Sequence, residues 1–168
     1  MSKMTFKYFM EYEDGQMARM ETTGNLRIPV NIFIDNAAAL DNLAEGLCTI
    51  DICGVGSTSN IDIYPSEEAY RATSPKMDTI SMIPMGTFSI HQDDENFQQS
   101  PHIIFSGRVL AVEWDPTAAQ NKPNCCILIE TLEMVINLYV RYDSVIEAGY
   151  IVHGVAWLFG EIVMNVEG

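Results

Sequence analysis

Three apolar runs in the last third of the chain decide its fold: IIFSGRVLAVEW at 103–114, CCILIETLEMVINLYVRY at 125–142 and YIVHGVAWLFGEIV at 150–163. They are rich in hydrophobic and β-branched residues, and segments carrying Pro, Asn, Asp and Gly separate them. Apolar runs bounded by such turn residues are typical of β-strands. The sequence therefore predicts a mainly β protein that ends in a small closed sheet.

The residue order within these runs predicts local features. In the middle run, 131–133 predicts the turn of a hairpin. In the last run, His153 and Trp157 share one face, because alternate residues of a strand point the same way. In the first run, Gly107 predicts a bulge or a sharp bend.

The order of strand, loop, hairpin, short connection and strand, with glycines at 107, 149, 154 and 160, resembles an oligonucleotide/oligosaccharide-binding (OB) barrel over about 101–163. Small barrels bend at glycines and bulges of this kind. The resemblance implies an OB-like β-barrel over 87–168, preceded by a β-rich segment over 1–86, and alternatively the two pack as one domain. The class has no required functional motif, so the resemblance implies no site residue.

The N-terminal segment predicts further strands. In Thr5–Tyr12, Phe6 and Tyr8 are predicted to share a face. Leu26–Ile34 alternates in the same way but contains Pro29, which cannot donate to a sheet ladder. We therefore predict that this strand lies at an edge or is bulged there.

Two short helices are predicted between these strands. Residues 35–47 combine an N-cap candidate at Asp35 or Asn36, an alanine run and leucines at helical spacing. Residues 66–72 begin with Ser66 and carry two glutamates in the first turn, where acidic side chains are favourable.

Charge is the strongest compositional feature. The chain has 23 acidic and 9 basic residues, a formal net charge of -14, and the excess is spread along both halves. Binding to nucleic acid depends largely on Lys and Arg at phosphates, so no nucleic-acid partner is expected. An acidic surface keeps a protein soluble, and it also suits a partner with a basic surface.

Targeting signals and metal motifs are not evident. The N-terminus lacks the uninterrupted apolar region of roughly 7–15 residues that a secretory signal needs, and no run approaches the roughly 18 apolar residues of a membrane span. The four cysteines form no CxxC pair. We expect a cytoplasmic protein with reduced thiols, no membrane association, no metal and no cofactor.

Two polar segments have some of the residues of a phosphate-binding or a metal-binding loop. Residues 53–60 (CGVGSTSN) lack the Lys-Ser/Thr ending of a phosphate loop and predict a turn between strands. Residues 91–95 (HQDDE) lack the spaced ligands and the glycine of a calcium loop and predict a solvated surface connection. Neither Ser57 nor Ser106 lies in a Gly-x-Ser-x-Gly motif, so no catalytic residue is assigned.

The residues that suit a ligand are Trp114, His153 and Trp157, although packing roles for them are the simpler interpretation. The leading hypothesis is a non-catalytic protein that binds a basic protein partner through an acidic face. The alternative is a small-molecule or saccharide binder, or an enzyme, with a pocket near these three residues. Self-association through the edge of Leu26–Ile34 is a third hypothesis.

Overall fold

The computed structural model describes residues 1–40, 42–56, 58–87 and 97–165. Its described elements are ten β-strands, one α-helix and two 3-10 turns. In chain order they are β1 (Ser2–Tyr12), β2 (Gly15–Thr22), β3 (Pro29–Ile34), a 3-10 turn (Ala37–Ala39), β4 (Gly46–Val55), a 3-10 turn (Thr58–Asn60), β5 (Ile61–Tyr64), α1 (Glu67–Arg71), β6 (Ser81–Ile83), β7 (His102–Trp114), β8 (Cys125–Thr131), β9 (Met134–Val140) and β10 (Ile151–Asn165).

The strands belong to one sheet whose hydrogen-bonded order is β5-β10-β3-β2-β1-β4-β9-β8-β7-β6. Strand β10 makes additional pairings with β4 and β7. The prediction of a mainly β protein is therefore confirmed.

The chain divides into two compact units. Unit 1 comprises residues 1–52, 84–103 and 158–168, and unit 2 comprises residues 53–83 and 104–157. Each unit takes segments from both sides of residue 86, where we placed the boundary between the two segments. That boundary stays a prediction, and the units are described separately.

In unit 1, strands β1 and β2 form an antiparallel hairpin, β2 pairs with β3, and β1 pairs with the beginning of β4. The register of the hairpin shifts between Phe6 and Tyr8. Phe6 is buried, whereas Tyr8 is 49% exposed. The predicted common face for these two residues is wrong, because an extra residue at a bulge turns the following side chains to the other face.

Strand β3 is not the edge strand that Pro29 suggested. It lies between β2 and β10, and Phe33 and Ile34 pair with Phe159 and Gly160 of β10. Pro29 is the first residue of β3, a position that proline tolerates within a sheet. Of this strand, Phe33 and Ile34 pair with β10, and self-association through Leu26–Ile34 stays a prediction.

The helix predicted over 35–47 is also wrong. Of the described residues in this range, Ala37–Ala39 alone are helical, as a 3-10 turn, and β4 already begins at Gly46. The Asn36 side chain donates to the Ile162 carbonyl oxygen at 2.8 Å and accepts from its N–H at 3.2 Å, so it does not cap a helix. Pairing of 46–50 with β1 outweighs the local helical preference.

In unit 2, the predicted hairpin is confirmed as β8 and β9, joined across Leu132–Glu133 with Thr131 opposite Met134. Glu133, the second residue of the turn, has φ of 59°, in the left-handed region. Cys125 is buried and its neighbour Cys126 is half-buried, as expected for adjacent residues of one strand.

Strand β7 pairs with β8, and its register shifts between Val109 and Ala111. The bulge predicted at Gly107 is therefore displaced toward Leu110. Gly107 has a different reason to be glycine, because a Cβ there would lie 2.7 Å from the carbonyl oxygen of Glu130. Glycine at this position permits close approach of the two backbones.

The second predicted helix is confirmed as α1, a single short turn of helix. Ser66 is its N-cap and accepts a hydrogen bond from the N–H of Ala69 at 3.0 Å. Glu67 and Arg71, one turn apart, form an ion pair at 2.7 Å. The helix buries Tyr70.

Strand β10 alternates as predicted. His153, Val155 and Trp157 are half-buried, whereas the intervening Gly154 and Ala156 are buried. The two faces of this strand thus meet different surroundings, and His153 shares its face with Trp157.

Candidate functional site

One surface of unit 2, which we call the outer face, is formed by three adjacent strands. In the register of β7, β8 and β9, residues of the three strands lie opposite one another in three rows. The nine residues of these rows are Glu113, Cys126 and Tyr139, then Ala111, Leu128 and Asn137, then Arg108, Glu130 and Val135. The β8 and β9 residues that alternate with them are buried.

The outer face is largely apolar in its middle and exposed to solvent. Tyr139 is 38% exposed, and Val55, its partner at the end of β4, is 43% exposed. Leu110, at the bulge of β7, is 41% exposed. Contiguous exposed apolar side chains bounded by charged ones mark binding surfaces more often than isolated ones do.

The charged residues of the outer face are mainly acidic. Glu113 and Glu130 carry carboxylates, and Arg108, opposite Glu130, is the one cation among the nine residues. Unit 2 as a whole carries 10 acidic and 5 basic residues, a net charge of -5 within the -14 of the chain. The outer face thus lies in an acidic unit.

A recess of about 240 Å³ lies where the outer face meets the loop that follows β7. Its lining residues are Glu113, Trp114, Asp115, Pro123, Cys125, Cys126 and Tyr139. A second recess of about 270 Å³ shares Glu113 and Cys126 with it and extends along the face to Leu128 and Asn137. Trp114 is 44% exposed, so its ring is available at the first recess.

The loop that borders this recess is held by hydrogen bonds. The Asp115 N–H donates to the Asn124 carbonyl oxygen at 2.8 Å, which closes the loop at its base. Arg141 donates to the carbonyl oxygens of Ala119 and Lys122 at 2.8 and 3.0 Å. These bonds fix the position of the acidic and aromatic lining.

Asp115 is held in its charged form. The Thr117 hydroxyl donates to Asp115 Oδ1 at 2.6 Å, and the Thr117 N–H donates to the same oxygen at 3.0 Å. These two bonds, the side-chain one first, lower the pKa of Asp115. A carboxylate that accepts such bonds stays ionised across the neutral range.

A second polar arrangement in unit 2 joins three side chains in a row. Ser106 Oγ of β7 lies 2.8 Å from His153 Nδ1 of β10 and 2.8 Å from the Tyr70 hydroxyl of α1. The Tyr70 hydroxyl donates to the carbonyl oxygen of Met77 at 3.0 Å. Ser106 and Tyr70 are buried, and His153 is half-buried.

Counting protons fixes the direction of this row. The Met77 carbonyl can only accept, so the single Tyr70 proton goes to it. The Ser106 hydroxyl then donates its proton to the Tyr70 oxygen. In the contact between Ser106 and His153, the ring must therefore donate from Nδ1 to the Ser106 oxygen. The row therefore runs from His153 through Ser106 and Tyr70 to Met77, with Nδ1 protonated.

This direction decides what the Ser106–His153 pair can do. A histidine that activates a serine must accept the hydroxyl proton, whereas here the ring nitrogen donates to the serine oxygen. Ser106 is also 0% exposed, so no substrate reaches its hydroxyl. The pair ties β7 to β10 and does not form a nucleophile.

The three residues predicted to bind a ligand occupy different surroundings. Trp114 lines the 240 Å³ recess, His153 belongs to the buried row, and Trp157 is half-buried on the same strand face as His153. The described lining of the recess includes neither His153 nor Trp157. Whether any of the three binds a ligand stays a prediction.

Sequence reasoning missed most of the recess. Glu113 and Asp115 flank Trp114 in the chain, and that acidic-aromatic-acidic triplet was a visible signal. Tyr139 joins them only through the register of the β8–β9 hairpin. Tyr70 and Ser106 had no sequence signal of their partnership, since 36 residues separate them.

Other candidates add little to the site. The cluster at 91–95 and Ser57 of the 53–60 segment lie outside the described residues. The rest of the 53–60 segment leads from β4 to β5 through a 3-10 turn. Within the described ranges, no group of three or more His, Cys, Asp or Glu is arranged to hold a metal, and no helix is long and apolar enough to cross a membrane.

Comparison with models of protein families, with curated proteins and with solved structures finds no match for this chain. The function must therefore be argued from the surfaces themselves.

Proposed function

We propose that this chain is a non-catalytic binding protein that recognises a basic protein partner through the outer face of unit 2. One observation carries the proposal: an apolar stretch, in which Leu128 is half-buried and Tyr139 is exposed, is bordered by the carboxylates of Glu113, Asp115 and Glu130. Interfaces commonly combine an apolar centre with a charged rim.

The charge of the chain supports a basic partner. A net charge of -14 repels polyanions and attracts cationic surfaces at long range. Such attraction accelerates encounter, and the apolar centre then contributes affinity. The buried row of His153, Ser106 and Tyr70 supports a structural role for the histidine.

The finer fold proposal is the OB-like barrel predicted over 87–168, with β4 added to it from the preceding segment. The pairings β7–β8, β8–β9, β9–β4, β4–β10 and β10–β7 form a cycle of strands, as a closed barrel requires. We also propose a cytoplasmic location, a reducing compartment in which the buried thiols of Cys48 and Cys125 stay reduced.

A small-molecule or saccharide pocket has less support. The two recesses, of about 240 and 270 Å³, are smaller than the roughly 300–1,000 Å³ of typical ligand pockets. Trp114 and His153, which that alternative placed together, lie in different surroundings.

The test is capture followed by measurement. The immobilised protein is incubated with an extract at low and at moderate salt, and each retained protein is identified, purified and titrated separately. We expect a partner with a basic surface whose affinity falls as salt increases. Leu128→Glu should weaken binding at least tenfold, whereas the matched control Val145→Glu, at a position 63% exposed outside the outer face, should not.

Two results would contradict the proposal. One is that no basic protein is retained at low salt. The other is that a retained partner binds the Leu128→Glu and Val145→Glu variants equally well.

A further inference from the structure

We infer that the recess at Trp114 is a subsite for a guanidinium group, the end of an arginine side chain of the partner. The inference rests on the proposed function, because it names the chemistry by which the outer face would bind a basic protein. It depends on three properties of the recess: its aromatic walls, its carboxylates and its bordering loop.

The aromatic walls suit a cation. Trp114 and Tyr139 both line the recess and are 44% and 38% exposed. Cations bind over the faces of aromatic rings, Trp being the best, and Arg does so more often than Lys. Among the described residues Tyr8 is also an exposed aromatic, and it lies against Arg19 of its own unit, 5.8 Å from ring centre to guanidinium carbon.

The carboxylates complete the site. Glu113 and Asp115, on either side of Trp114 in the chain, line the same recess. Both hydrogen bonds that Asp115 accepts from Thr117 go to Oδ1, so Oδ2 can accept a hydrogen bond from a ligand. A guanidinium is planar and has five donors, so it can stack on a ring while it donates to carboxylates.

The cations of the same loop region do not fill the recess. Arg141 is engaged with two loop carbonyls, and Lys122, although next to Pro123 in the chain, is not among the lining residues. The described lining of the recess has acidic and aromatic side chains and no Lys or Arg, so a guanidinium group of another molecule matches it.

The test uses Nα-acetylarginine amide as the probe and NMR of the ¹⁵N-labelled full chain as the readout. The chain has two tryptophans, so the two indole N–H signals report on Trp114 and, as an internal control, on Trp157. We expect the Trp114 signal to move in a saturable way and the Trp157 signal to stay. The matching citrulline derivative, which is isosteric and uncharged, should bind at least threefold more weakly.

Substitutions test whether the carboxylates of Glu113 and Asp115 contribute to binding of the arginine derivative. Glu113→Gln and Asp115→Asn should each weaken binding about 1.4- to fivefold, the range that follows from roughly 0.2–1 kcal/mol for an exposed charge pair. Asp115→Asn keeps an oxygen that can accept from Thr117, so the loop should be retained. Glu147→Gln removes the same charge from an exposed position outside the recess and should leave the affinity unchanged.

Several results would overturn the inference. The citrulline derivative or the corresponding lysine derivative could bind as tightly as the arginine derivative. The Trp157 signal could move while the Trp114 signal stays, or both carboxylate variants could bind the arginine derivative with unchanged affinity. If a basic partner binds the outer face while the arginine derivative does not bind, the subsite fails and the proposed function stands. If the arginine derivative binds while no basic protein is retained, the proposed function fails and the subsite stands.

Discussion

Replacing Ser106 by alanine tests the directed row of hydrogen bonds that joins β7, β10 and α1. The hydroxyl of Ser106 contacts His153 and Tyr70 at 2.8 Å each, inside unit 2. Ser106→Ala leaves the Nδ1 proton of His153 without its acceptor and deprives the Tyr70 oxygen of a donor. Leaving a buried polar group unsatisfied costs about 1–3 kcal/mol, so the free energy of unfolding should fall by that amount.

The same row predicts coupling between its members. Tyr70→Phe should also cost about 1–3 kcal/mol, because the Met77 carbonyl loses its donor. The double variant should cost less than the sum, with a coupling of about 0.5–3 kcal/mol, since both single changes break the same Ser106–Tyr70 bond. Urea unfolding of the four proteins measures each value, and Ser144→Ala, at an exposed serine, should change stability by less than about 0.5 kcal/mol.

Two measurements could refute this reasoning. Additive costs in the double variant would mean that Ser106 and Tyr70 act separately. ¹⁵N chemical shifts of the His153 ring that show a neutral tautomer protonated on Nε2 alone would reverse the deduced direction, and Ser106 would then donate to the ring.

Three further predictions concern other parts of the chain. Burial raises the pKa of the Cys48 and Cys125 thiols to about 11, so at pH 8 only about one in a thousand of these thiols is ionised. Iodoacetamide should therefore label the two half-buried cysteines, Cys53 and Cys126, first, and peptide mass mapping measures the order of labelling. Partial burial lowers the pKa of His102, so as the pH falls below about 6.5 the unfolded chain takes up a proton before the folded chain does, and the free energy of unfolding should fall. His102→Gln should make the free energy of unfolding less dependent on pH, as measured by urea unfolding between pH 7 and 5. An unchanged slope in this variant would contradict the role given to His102. A Cβ at Gly154 would clash with the carbonyl oxygen of Asn60, so Gly154→Ala should lower stability by about 1–3 kcal/mol, and a melting temperature equal to that of the wild type would show that the backbone gives way.

The parts of the fold that the sequence predicted correctly depend on short-range order. The β8–β9 hairpin and the alternation of β10 follow from a period of two and from a turn of two residues, which are visible within a dozen positions. The capped helix α1 follows from Ser66 and the acidic residues after it. None of these features needs information from elsewhere in the chain.

The failures come from distant partners. The helix over 35–47 gave way because β1 pairs with 46–50 and because Asn36 binds Ile162, which is 126 residues away. The common face of Phe6 and Tyr8 was lost at a bulge that no turn residue announced. For the candidate site, Trp114 was named as an aromatic residue at the end of a predicted strand, whereas the contribution of Tyr139 depends on strand register.

The interleaving of the two units has a consequence for synthesis of the chain. Unit 1 includes residues 158–168, and its strand β3 pairs with Phe159 and Gly160 while Asp35 donates its N–H to the Gly160 carbonyl oxygen at 2.8 Å. The first 52 residues therefore leave the ribosome long before the segment that completes their unit. Folding of unit 1 must wait until residues 158–160 have been synthesised, so a nascent chain stalled before residue 158 should expose the β3 edge to chaperones.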